Sequence, residues 1–160
     1  MAPRIVVMGV SGCGKSRLGA ALAGATGLAF RDADDLHPPA NIAKMTRGEA
    51  LTDADRWPWL DACGAALAQG GVLACSALRR AYRDRLRDFA PDLRLIYLTA
   101  PEAEITEHLH ARQGHFMPPA LLASQLAALE PPGVEEHALI LRAFRPIGQM
   151  VAKARDGLNL

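Results

Sequence analysis

The sequence predicts an α/β fold in a single domain, 1–160, built on a five-stranded parallel sheet with helices on both faces. Three observations carry that prediction. Short apolar runs alternate with longer helical patterns, the arrangement of a parallel sheet with crossover helices. The first run leads into a glycine-rich turn and then a helix. No repeat, low-complexity tract or linker divides the chain, and 160 residues suffice for one substantial core.

The elements follow in order. "RIVVM" (4–8), "LAFRD" (28–32), "VLACS" (72–76), "LRLIYL" (93–98) and "ALIL" (138–141) read as short buried strands. Helical patterns occupy 15–25, 39–47, 53–69, 79–89, 100–112 and 119–129, with a last one from 146. Thr99 and Glu102 have the spacing of a capping box, which would start the helix at 100. Pro58 sits awkwardly within "DADRWPWLDACG": either that helix is kinked at the proline or it starts later than 53.

Composition removes several classes of function. Eighteen basic and 17 acidic side chains leave a formal net charge of +1, which gives no electrostatic case for nucleic acid or an anionic membrane. No apolar run in the sequence reaches the roughly 20 residues that a bilayer crossing requires. "IVVMGV" runs straight into "SGCGKSR" and does not read as a signal peptide. Cys13, Cys63 and Cys75 are odd in number and lack CxxC spacing, so reduced thiols in a cytoplasmic protein are expected.

"GVSGCGKS", Gly9 to Ser16, fits G-x-x-x-x-G-K-[ST] with a strand before it and an amphipathic helix after it. Glycine at 9, 12 and 14 opens backbone angles that let successive N–H groups point inward, and the helix adds the positive end of its dipole. The loop Gly9, Ser11, Gly12, Cys13, Gly14, Lys15 and Ser16 is thus a P-loop candidate for ATP. Lys15 reaches the β- and γ-phosphates and the Ser16 hydroxyl binds Mg²⁺. Cys13 fills a variable loop position and is not a nucleophile. No N-K-x-D segment supports a GTPase, the "DACG" at 61–64 falls in a helical pattern, and a motor would be unusually small at this length. A small-molecule kinase is the reading that remains.

"FRDADDLHP" places Asp32, Asp34 and Asp35 at the carboxyl end of the second strand, where open α/β sheets bind ligands. In extended chain Asp32 and Asp34 would point the same way. Phosphoryl transfer needs charge neutralised beside the phosphates and an oriented nucleophile. Asp32 is therefore assigned to the metal and Asp34 to the acceptor hydroxyl, as orienting group or general base. Asp35 fits a solvated helix start. The third strand ends in Cys75-Ser76 rather than an aspartate, which adds weight to Asp32 as the Mg²⁺ ligand.

Taken together, "GVSGCGKS", "DADDLHPPANIAKMTRGEALTDADRWPWL", "CSALRRAYRDRLR" and "RQGHFMPPALLASQLAALEPP" resemble the gluconokinase family of small P-loop kinases. The resemblance implies ATP- and Mg²⁺-dependent phosphorylation of gluconate at its 6-hydroxyl, in a homodimer. It places the family's D-x-D pair on Asp32 and Asp34, its substrate-side basic residues on His37, Arg56 and Arg79, and its lid arginine on Arg112. The connection 112–120, with glycine and paired prolines between two helices, reads as a short lid over the phosphates, the alternative being a surface turn. Arg112 would touch the nucleotide and stabilise the transferring group, and His115 would stand beside the substrate. Arg142 and Phe144 depart from the family's usual acidic residues near the adenine.

In "SALRRAYRDRLRDF", Tyr82, Leu86 and Phe89 form an apolar stripe, and most of the five arginines are expected in solvent, with Asp84 and Asp88 offsetting them. Arg79, at the helix start, lies nearest the expected cleft. His108 and His110 are two apart on a helix and face different ways, so no metal pair is read there. Trp57 and Trp59 are assigned to helix packing. The rival enzyme is shikimate kinase, which shares the P-loop and an F-x-D-x-D strand end; the G-G-G run expected after its third strand is missing from this chain. The rival from another class is a non-catalytic nucleotide sensor, against which the intact Lys15, Ser16, Asp32 and Asp34 set argues.

Overall fold

The strand β1 (Arg4–Met8) lies at the centre of the sheet, and Ile5 to Met8 have no exposed surface. The structure, a computed structural model, describes residues 2–111 and 119–160. β1 pairs in parallel with β3 (Gly71–Ala74) on one side and with β4 (Arg94–Thr99) on the other. β2 (Phe30–Asp32) and β5 (Leu139–Arg142) complete the order β2-β3-β1-β4-β5, all parallel. The expected five-stranded sheet is thus observed.

Alternation along β1 divides the interior into two layers. Ile5 and Val7 pack with Leu18 and Leu22 of α1 (Lys15–Thr26), Ile105 of α5 (Glu102–Ala111), and Met150, Ala154 and Leu158 of α7 (Ile147–Leu158). Val6 and Met8 face Trp59, Leu60, Cys63 and Leu67 of α3 (Asp53–Ala68), together with Tyr82 and Leu86 of α4 (Arg80–Phe89). The short α2 (Pro39–Thr46) and α6 (Pro119–Ala128) complete the helices of the described residues.

Several expectations are corrected. β2 starts two residues later than 28, because Gly27 turns left-handed at the end of α1 and the Leu28 N–H bonds back to the Ala23 carbonyl. α3 begins at Asp53 as expected and continues through Pro58 rather than starting later; Thr52 and Asp55 close a reciprocal capping box that fixes its start ahead of the proline. The capping box predicted at Thr99 does not form: Thr99 ends β4, and the Pro101 carbonyl accepts from the Glu104 and Ile105 N–H groups of α5. The Phe89 ring is 38% exposed and lies over Gly64, where a β-carbon would clash with it.

Arg83 replaces Phe89 on the buried face of α4, against the expectation that the arginines there are mostly solvated. It is 1% exposed and meets Glu136 through two bonds of 2.8 and 3.0 Å. Its Nη1 also donates to the carbonyls of Ala77 and Leu78. A buried charge persists where a partner and further hydrogen bonds satisfy it, as here. Arg87 adds a bond to Glu136, and Arg85 forks onto Asp61.

Candidate active site

The parallel order brings the carboxyl ends of β1, β2 and β3 to one edge of the sheet. A cleft of about 430 Å³ opens there, with Gly12, Lys15, Ser16, Asp32, Asp34 and Ser76 in its wall. Its floor is Gly9 to Ser16. Gly14 is left-handed (φ 87°) as it caps α1, a conformation that costs a β-carbon-bearing residue. Gly12 shares that conformation and also lies against Leu109 of α5; a β-carbon would come within 2.8 Å of that side chain. Cys13 turns its thiol into the core, where burial pushes its pKa up, so only its main chain is offered to a phosphate.

Lys15 folds back over the loop, with Nζ 3.1 Å from the Val10 carbonyl. Desolvation draws its pKa down, and the nearby acids Asp34 and Asp32 partly offset that shift. Ser16 Oγ donates to Asp32 Oδ2 at 2.5 Å. Asp32 Oδ1 accepts from the Asp34 N–H at 3.0 Å, capping the 3-10 turn Ala33–Leu36. Asp34 therefore does not continue the extended chain of β2; it leaves on the first turn of a short helix. The Ala33 carbonyl is anchored from α3 by Trp59 Nε1 at 2.7 Å.

Asp34 faces the cleft beside Lys15. Desolvation raises its carboxyl above the ordinary range, and the Asp32 charge raises it further, against the pull of Lys15 and His37. His37 stacks on Trp59 at 4.4 Å and lies 3.3 Å from Asn41 Nδ2. Burial lowers its pKa, with Asp34 opposing and Arg56 reinforcing the shift.

The other predicted residues are brought close but stand beside the cleft. Arg56 bonds Asp53 at 3.3 Å and covers the Tyr82 ring at 5.7 Å. Arg79 is exposed at the start of α4, and its charge is felt by both Asp53 and Tyr82. Tyr82 donates its hydroxyl to Asp53. The charges of Asp34 and Arg56 act on His37, and those of Arg56 and Arg79 act on Asp53 and Tyr82, so these side chains lie within electrostatic range of one another. Arg112 and His115 lie outside the described residues.

Ser16 and Asp32 offer an all-oxygen pair suited to a hard cation that keeps water and phosphate as its other ligands. Among the described residues, no three His, Cys, Asp or Glu side chains gather as a metal site. No helix among them is long and apolar enough to cross a membrane.

Sequence reasoning missed two contacts of the site. Gln125 of α6 binds Ser11 in the loop, and the buried Arg83 holds the turn after β3. A signal existed for the first: Gln125 shares helical spacing with Leu122, Leu126 and Leu129, so a carboxamide sits on an otherwise apolar face.

Comparison with known proteins agrees with this geometry. Residues 5–132 match the protein family described as AAA domain. A gluconokinase of Gluconobacter oxydans is 47% identical over 84% of this chain and 79% of its own length. The crystal structure of a gluconokinase from Sinorhizobium meliloti superposes with a TM-score of 0.90 at 48% identity, covering 98% of this chain and 91% of that one. A shikimate kinase from Bacteroides thetaiotaomicron reaches a TM-score of 0.71 over 99% of both chains at 18% identity, a likeness of fold alone. With the phosphate loop, the paired acids and these relatives in agreement, the chain belongs to the gluconokinase family.

Proposed function

We propose that the protein transfers the γ-phosphoryl group of ATP to the 6-hydroxyl of D-gluconate, giving 6-phospho-D-gluconate and ADP. The observation that carries this reading is the placement of Asp34 opposite Lys15 and the Ser16–Asp32 pair in one cleft. The loop amides and Lys15 hold the phosphates. Ser16 and Asp32 would hold Mg²⁺, which when bound supplies charge neutralisation across the phosphates.

Asp34 orients the 6-hydroxyl and accepts its proton as the new O–P bond forms and the bond to the ADP oxygen breaks. Its raised pKa strengthens it as a base. His37, Arg56 and Arg79 would face the hydroxyls and carboxylate of the sugar acid, the two guanidiniums as planar forks. Arg112 and His115 are proposed to approach from the lid segment at about 112–120. A homodimer and a cytoplasmic setting complete the proposal; the three buried, free cysteines suit a reducing compartment.

A coupled assay of ADP release, run in parallel with gluconate and shikimate, tests the reading. Turnover that depends on gluconate and Mg²⁺ is expected. Turnover with shikimate alone would overturn it.

A further inference from the structure

Gln125 meets Ser11 at two points, although 114 residues separate them in sequence: Oε1 accepts from the Ser11 N–H at 2.7 Å and Nε2 donates to Ser11 Oγ at 2.9 Å. The orientation of the carboxamide follows from its partner, since a main-chain N–H can only donate. We propose that Gln125 is a positioning residue for the phosphate-binding loop, holding its Ser11 turn in shape from outside without adding negative charge to the cleft. This inference rests on reading Gly9–Ser16 as a triphosphate loop.

The loop needs outside support. Within it, the Cys13 N–H reaches the Val10 carbonyl at a long 3.3 Å, and Lys15 occupies that same carbonyl. Lys15 must leave that carbonyl to reach a phosphate. The Ser11 N–H is then held by α6, and Gly12 is covered by Leu109 of α5. The neutral carboxamide matters as much as its geometry. A carboxylate could accept from the same N–H, but it would set a like charge near the incoming triphosphate, within range of the roughly 8 Å screening length of physiological salt.

Three variants test the inference: Gln125→Leu, Gln125→Glu and Ser11→Ala, the first and last also combined. Affinity is read directly by titration with a fluorescent ATP analogue, and KM for ATP and for gluconate by turnover. Loss of two neutral hydrogen bonds in Gln125→Leu should weaken nucleotide binding about five- to tenfold, with gluconate KM held within about twofold. Gln125→Glu should bind nucleotide more weakly still, and added salt should narrow its deficit, which a packing defect would not show. The double variant should be no worse than Gln125→Leu alone, because the hydroxyl bond that Ser11→Ala removes is one of the two that Gln125→Leu has already lost. Unchanged nucleotide affinity in both Gln125 variants, or equal losses for ATP and gluconate, overturns the inference while the kinase reading stands. A wild-type protein that does not bind the analogue overturns the triphosphate reading and this inference with it.

Discussion

The main-chain N–H of Asp34 donates to Oδ1 of Asp32 at 3.0 Å, while Oδ2 of Asp32 takes the Ser16 hydroxyl. One carboxylate thus links the phosphate loop to the turn that aims its neighbour. The two acids divide the work: Asp32 organises and Asp34 stays open to a ligand.

Asp34→Asn should therefore lower kcat by about 100-fold or more, the usual worth of a positioned base, with ATP affinity changed by less than about threefold. Steady-state kinetics beside nucleotide titration checks this. Lost ATP affinity with surviving turnover would move Asp34 to the metal side.

The pH profile supplies an independent check. Asp34 must be ionised to take a proton, so kcat/KM should fall as pH drops through its pKa. Desolvation and Asp32 raise that pKa, so the acid limb should lie above the ordinary carboxylate value. The limb should vanish from the residual activity of Asp34→Asn. An acid limb unchanged by that substitution would assign it to another group.

Asp32→Asn should shift the Mg²⁺ requirement upward by about tenfold while the protein remains folded, since one charged ligand is lost and the Ser16 partner remains. A metal titration of turnover, with circular dichroism as the folding control, measures it.

Lys15→Ala should depress kcat/KM by about 100-fold or more through lost charge stabilisation at the phosphates, without unfolding the chain. Wild-type rates in that variant would refute the loop assignment.

Glu136 links acid sensitivity to the buried pair. Desolvation pushes its carboxyl up, but hydrogen bonds from Arg83, Arg87 and the Gly133 N–H outweigh that and hold the pKa down to about 2, against 4.5 for an ordinary glutamate. A depressed folded pKa gives stability that is complete above the unfolded value and lost as pH falls through the folded one. That contribution is about 3 kcal/mol, lost between roughly pH 4.5 and 2. Glu136→Gln should flatten the acid side of the stability curve and destabilise the protein at pH 7 by about 3 kcal/mol, as measured by urea unfolding.

Much of this was legible before any coordinates. The strands follow from apolar runs bounded by turns, and the phosphate loop from glycine and lysine spacing; both signals are local. Asp32 and Asp34 stand out in the sequence because a strand end in an open sheet is where ligands gather. What the sequence hid depends on distance along the chain. Gln125 meets Ser11 across 114 residues, and Arg83 finds Glu136 across 53. Helical spacing marks Gln125 as a polar residue on an apolar face but does not name its partner, and the Arg83 pairing leaves no periodic trace, so an arginine bound for the interior looks like its solvated neighbours. Pro58 left open whether the helix starts at 53 or later, and the capping box of Thr52 and Asp55 ahead of it decides for 53.

β2 has three residues and a single hydrogen-bonded neighbour in the sheet, and its tip is tied down by Trp59 and, through Arg31, by the Ala66 carbonyl. Asp32 and Asp34 are consequently moored to the helix layer, whereas the glycine-rich loop rises from the innermost strand. Gentle warming or mild denaturant should unmoor the first before it disturbs the second. Nucleotide titration and turnover measured side by side in mild denaturant should therefore show ATP still bound after phosphorylation has ceased.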